Sequence, residues 1–86
     1  MPQQWGIFYL MQFYTYILFS KKLNKYYIGS TDNVQRRLAE HNRGKTNFTK
    51  TGYPWVIVFI ETFATRSEAF TRERYIKAQK SATYIR

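Results

Sequence analysis

Five residues spread along the chain are of types that can move protons, hold a phosphate or bind a cation: Tyr16, Tyr27, Arg37, His41 and Glu73. The acid emerges by elimination. Asp32 stands where a helix cap is needed, Glu68 completes a capping box, Glu40 falls on a solvated helix face and Glu61 sits near a strand end. Glu73 has no such use, and the positions that share its helix face include Ala69, Ile76 and Lys80. A carboxylate on an inward stripe costs desolvation unless a cation or hydrogen bonds compensate. Either a bound divalent ion or an ion pair with Arg36, Arg37 or Lys77 would do so. One carboxylate without an acidic neighbour suits a single hard cation that keeps several waters, as Mg²⁺ does, and Mn²⁺ accepts the same oxygen ligands.

The remaining four residues bear on water and phosphate. A phenol has an ordinary pKa of about 10 and loses its proton more easily beside a guanidinium or a metal, so Tyr16 and Tyr27 could position water and move protons. Taken singly, each is more simply an aromatic packing on a half-buried sheet; the spacing to Arg37, His41 and Glu73 is what argues for chemistry. Arg37 offers a fixed fork of donors and a permanent charge to a phosphate, and its neighbour Arg36 reads as a surface phosphate contact. His41, the sole histidine, could accept a proton from Tyr16 or hydrogen-bond a phosphate. As an alternative, it is an imidazole favoured by the dipole at a helix C-terminus.

Positioning these residues needs strands and helices in a set order. Phe13 to Phe19 and Tyr26 to Ser30 are β-rich, and a loop of Lys21-Lys22 or of Lys21 to Asn24 makes them a hairpin with Tyr16 and Tyr27 on one face. Asp32, with Gln35 as its capping-box partner, starts a helix to about Asn42 that stops at Gly44. Val34 and Leu38 form its buried stripe, and Arg37 and His41 lie one turn apart along the edge of that stripe. The stretch Lys45 to Gly52 is polar and basic. Pro54 opens a third strand, Trp55 to Thr62, whose apolar run predicts a central strand covered on both faces. Thr65 and Glu68 cap a second helix from about Arg66 to Lys80.

Composition narrows the partners. The 86 residues make one small domain, here residues 11–86, with residues 1–10 predicted to be a disordered extension; the abrupt end at Tyr84-Ile85-Arg86 suggests a further helix. No cysteine and one histidine rule out a disulfide framework and a zinc site of several such ligands, and a cytoplasmic location fits best. The longest apolar run, Trp55 to Ile60, is far below the roughly 20 residues of a membrane span. A net charge of +9 favours a polyanionic partner, with Arg36, Arg43, Lys45 and Lys50 as candidate nucleic-acid contacts.

With these residues in place, the chain resembles the GIY-YIG nuclease superfamily, especially small stand-alone proteins related to the N-terminal nuclease domain of excinuclease C. Tyr14-Thr15-Tyr16-Ile17-Leu18 looks like the first motif and Tyr27-Ile28-Gly29-Ser30-Thr31 the second. Val34 to His41 looks like the catalytic helix, and Arg66 through Glu73 to Lys77 like the metal-helix segment. The resemblance implies an α/β (α+β) fold, a small three-stranded antiparallel sheet flanked by helices on both sides, cutting phosphodiesters with one divalent ion. It further implies Tyr16 as the base acting on water, with His41; Tyr27 orienting water or phosphate; Arg37 stabilising the pentavalent state; and Glu73 holding Mg²⁺, for which Mn²⁺ substitutes. Gly29 would keep the second strand bare beside the site. The asparagine that many relatives carry beyond the glutamate has Ile85 in its approximate place, so either that contact is absent or the chain stops short of its replacement.

Two functions follow from the sequence: a metal-dependent endonuclease acting on duplex or branched DNA in repair or recombination, with a protein partner supplying substrate selection, or a basic nucleic-acid-binding module without catalysis. Both bind DNA largely through charge. Affinity is therefore expected to fall steeply between about 50 and 200 mM salt. A dissociation constant that stays level over that range in a fluorescence titration would remove the electrostatic basis of the assignment.

Overall fold

The computed structural model describes residues 12–44 and 50–79. Three strands form one antiparallel sheet, β1 (Phe13–Ser20), β2 (Lys25–Thr31) and β3 (Trp55–Phe63), with helices α1 (Val34–Asn42) and α2 (Arg66–Gln79). The predicted extension at residues 1–10 and the C-terminal Tyr84-Ile85-Arg86 lie outside the described residues. No helix among the described residues is long and apolar enough to cross a membrane.

The hairpin uses the longer of the two predicted loops, Lys21 to Asn24, with Asn24 in the left-handed region at φ 55° that asparagine tolerates. Its register pairs Tyr16 with Gly29 and Leu18 with Tyr27, so both tyrosines point to one face. Their neighbours Thr15 and Ser30, also cross-strand partners, point to the other. The two helices take opposite faces accordingly. On the α1 face, Tyr16, Leu18, Val34 and Trp55 form the buried core, with Leu38, Tyr27 and Ile57 packed against it. On the α2 face, the buried Thr15 donates from Oγ1 to the Ala69 carbonyl at 2.7 Å.

Three expectations are corrected. The strand order is β2-β1-β3, so β1 is central and β3 is an edge. The apolar run of β3 was expected to be covered on both faces, yet Val56, Val58 and Ile60 are about half exposed. Apolar content alone does not distinguish a central strand from an edge whose outer residues stay wet. Second, α1 is capped by Asn33, whose side chain accepts from the Arg36 backbone N–H at 3.0 Å. Asp32 instead forms an exposed pair with Arg36 at 2.9 Å, and the Gln35 capping-box role does not arise. Either side chain is chemically able to cap, and the hydrogen bond of Asn33 N–H to Thr31 Oγ1 fixes which residue takes the position. Third, Glu40 is not solvated: its side chain is 14% exposed and ion-paired with Arg37. The other signals hold. Gly44 stops α1 at φ 76°, and Thr65 and Glu68 exchange side-chain to backbone hydrogen bonds at the start of α2.

Gly29 marks a close approach between two strands of the sheet. The Tyr16 ring crosses from β1 over Gly29 on β2, and a Cβ at Gly29 would meet Tyr16 Oη at 2.5 Å and Cζ at 2.7 Å. Alanine in a strand ordinarily gains about 0.5–1 kcal/mol over glycine through chain entropy. Here the buried ring has to move, an overpacking cost of about 1–3 kcal/mol, and the steric effect wins. Gly29→Ala is expected to lower stability in a urea titration; a variant as stable as the parent would show that the ring yields freely.

Candidate active site

Tyr16, Tyr27, Arg37 and His41 come together on the α1 face. Tyr16 is 1% exposed, and with its ring laid over Gly29 the hydroxyl stands 3.4 Å from His41 Nε2. Tyr27 packs beside both, its ring centroid 4.3 Å from that of His41 and 6.4 Å from that of Tyr16. Trp55 meets Tyr27 edge-on from the base of the core. Asn42 secures the end of α1: it accepts from the Trp55 backbone N–H at 2.6 Å and donates to the Trp55 carbonyl at 3.2 Å.

The electrostatics of this group follow from burial. His41 is also 1% exposed, and burial, reinforced by the Arg37 charge and opposed by Glu40, pulls its pKa below the ordinary histidine value. The helix C-terminal position of the alternative reading is observed, with the charged form of the ring disfavoured there by burial. Among the described residues the buried Nδ1 atom has no hydrogen-bond partner, and the polar contact the ring makes is Nε2 to Tyr16, donated or accepted according to the tautomer. Burial likewise pushes the Tyr16 phenol up, against a hydrogen bond and the charge of Arg37, with Tyr27 and Glu73 adding to the rise. Arg37 does ease the loss of the Tyr16 proton, as expected, but desolvation outweighs the guanidinium and the net shift is upward. Arg37 is held charged, its pKa raised first by the hydrogen bond to Tyr16 and then by Glu40, against partial burial.

Glu73 approaches from the other face. The residue is 9% exposed; Ser30 Oγ donates to Oε1 at 2.7 Å and Lys77 Nζ lies 2.7 Å from Oε2. The ion pair weighed as an alternative to metal binding is thus present. Gly29 and Ser30 are consecutive, so the Tyr16 hydroxyl and Glu73 flank the same short stretch of edge strand β2, and the carboxylate charge reaches Tyr16. Among the described residues no three acidic, histidine or cysteine side chains gather as metal ligands. The donor set that is present, one largely buried carboxylate with an oxygen held by a hydroxyl and the other paired with a half-exposed ammonium, would suit a cation that keeps most of its own waters only with Lys77 turned away from Oε2.

Ser30 is the residue that sequence reasoning missed. Its signal was available, because it follows Gly29 in the strand and must face opposite to Tyr27. Of the candidate nucleic-acid contacts, Arg36 is exposed and paired with Asp32 and Glu40, Arg43 is exposed at the end of α1, and Lys50 is exposed. Lys45 lies outside the described residues.

Comparison with known proteins gives this geometry its family. The chain matches the GIY-YIG catalytic domain over residues 12–85. It is 48% identical over 65 residues to a UPF0213 protein of Staphylococcus haemolyticus, covering 74% of this chain and 78% of that protein. A UPF0213 protein of Streptococcus pneumoniae is 37% identical over 68 residues, covering 78% of this chain and 68% of that protein. One from Halobacterium salinarum is 44% identical over 64 residues, covering 69% of this chain and 83% of that protein. No solved structure gives a significant match. The matched segment contains both strands of the hairpin, the helix bearing Arg37 and His41, and the helix bearing Glu73, and by that match the chain belongs to the GIY-YIG catalytic domain family of nucleases.

Proposed function

We propose that this protein is a divalent-metal-dependent endonuclease that hydrolyses phosphodiester bonds of DNA, acting in the cytoplasm in repair or recombination with a partner that selects the substrate. The observation that carries the reading is the buried Tyr16–His41 contact beside a charged Arg37, held over a glycine at the end of an edge strand. A phenol with a raised pKa is a strong base once ionised but is seldom ionised, so it needs an acceptor for its own proton. Neutral His41 Nε2 is within reach to be that acceptor, letting Tyr16 Oη take a proton from water as it passes one on. Tyr27 would orient the water or the phosphate, and Arg37 would stabilise charge building on phosphorus. Glu73, steadied by Ser30, would hold Mg²⁺ or Mn²⁺, with Lys77 turning outward from Oε2. Such an ion, when bound, polarises a non-bridging oxygen and stabilises the leaving 3′ oxygen. The Glu73–Lys77 pair favours a second reading, a basic nucleic-acid-binding module without cleavage.

Plasmid nicking with Mg²⁺ or Mn²⁺ separates the two. Glu73→Gln is expected to abolish metal-dependent nicking while leaving DNA binding near the parent level. Tyr16→Phe, which keeps the ring over Gly29, should lower the rate by about 10²–10⁴-fold with little change in melting temperature. Parent-like rates in Glu73→Gln would make that carboxylate a structural partner of Lys77. Parent-like rates in Tyr16→Phe would shift the base to His41.

The pH dependence follows from the sign of the His41 shift. A histidine whose folded pKa is lowered keeps its full contribution above the unfolded value of about 6.5 and loses it as pH falls through that value toward the folded one. Folding stability should therefore decline below about pH 6.5, and His41→Gln should remove this part of the decline, whereas the nicking rate follows the folded imidazole and should fall only at lower pH. An acid limb in urea midpoints that is identical in parent and variant would assign the decline to other groups.

A further inference from the structure

The outer face of α2 carries chemistry that the proposed reaction does not use. Arg66, Phe70 and Arg74 follow one another at four-residue spacing, which stacks them along one face, adjacent to Glu73 and Lys77. Phe70 is 50% exposed although large and aromatic, and Arg74 lies over its ring at 5.8 Å from the centroid. Arg66, Ser67, Phe70 and Ser30 line a groove of about 520 Å³, within the range of about 300–1,000 Å³ common for small-ligand sites. Ser30 is the residue that holds Glu73, so this groove opens beside the anchoring hydroxyl of the candidate metal carboxylate.

A wet aromatic ring backed by Arg74, in a groove lined by a further arginine, Arg66, on a chain of net charge +9, is complementary to an unpaired nucleotide. The ring offers a π-face to any base, and the cations offer donors to the phosphates on either side. A duplex presents no free base face to such a ring. We propose that the Arg66–Phe70–Arg74 face of α2 is a docking site for an unpaired nucleotide of the DNA strand, stacked on Phe70 next to the Ser30–Glu73 pair. This rests on the endonuclease reading for its biological use and names its substrate class as DNA with unstacked bases near the cut. Arg66 also lies over the Phe13 ring at 4.8 Å and within 4.0 Å of Asp32.

The test is binding, measured with EDTA present so that its outcome does not depend on cleavage. The probes are a fully paired duplex and a fork whose single-stranded arm carries 2-aminopurine. The parent is expected to bind the fork more tightly than the duplex and to quench the 2-aminopurine by stacking. Phe70→Ala and Phe70→Leu should each weaken fork binding on the order of tenfold and lose the quenching, with duplex binding and melting temperature near those of the parent. Tyr75→Ala supplies the control, because Tyr75 is similarly exposed on the same helix but lines a different groove with Phe63 and Thr71. Fork binding and quenching unchanged in both Phe70 variants, or lost equally in Tyr75→Ala, would overturn the proposal. A protein that binds forks as described but never nicks DNA would instead retire the endonuclease reading.

Discussion

The Tyr16 ring resting on the bare backbone of Gly29 is the constraint on which the rest of the site depends. A Cβ on that residue would fall inside the ring's van der Waals envelope, so the crossing exists only because the partner strand has no side chain there. The crossing carries a hydroxyl from the central strand out to the edge of the sheet, where the end of α1 brings His41 to meet it. The hairpin register then acquires a chemical meaning. A slip of one residue would set Tyr16 against a side chain and turn Tyr27 to the opposite face.

Burial governs the proton chemistry more than charge does. A site lined by Tyr16, His41 and Arg37 on a basic chain would be expected to ionise its phenol, yet both the phenol and the imidazole are held in their neutral forms by desolvation. Only the guanidinium keeps its charge, sustained by Tyr16 and Glu40. The result is a neutral donor–acceptor pair beside a fixed cation, an arrangement ready to move a proton without first separating charge in a dry interior.

Much of this was legible in the sequence, for reasons that differ by residue. Tyr16, Tyr27, Arg37 and His41 were readable because strand alternation and helical spacing leave few ways to bring them to one face. The start of α2 was readable because a capping box has a fixed spacing, as Thr65 and Glu68 display. Helix α1 was harder, since Asp32 and Asn33 are both good caps and only the Thr31 hydroxyl decides between them. The edge position of β3 was not readable, because Trp55 to Phe63 is apolar enough for either place in the sheet and pairing order depends on long-range contacts. Nor was the approach of Glu73 from the face opposite the tyrosines, which is set by Thr15 and Ser30 anchoring α2.

Asn42 grips both backbone polar groups of Trp55 with its amide, in the manner of a neighbouring strand. The connection between α1 and β3 is thereby pinned at its two ends, next to His41 on one side and under Tyr27 on the other. Gly52, just before β3, is buried with its carbonyl held by Ser20 Oγ and no room for a Cβ against the Trp55 ring. Trp55 therefore receives the amide of Asn42 on its backbone, and the backbone of Gly52 and the edge of Tyr27 on its indole, so that a change of volume at this one ring would be felt at once by the chain entering β3 and by the imidazole at the end of α1.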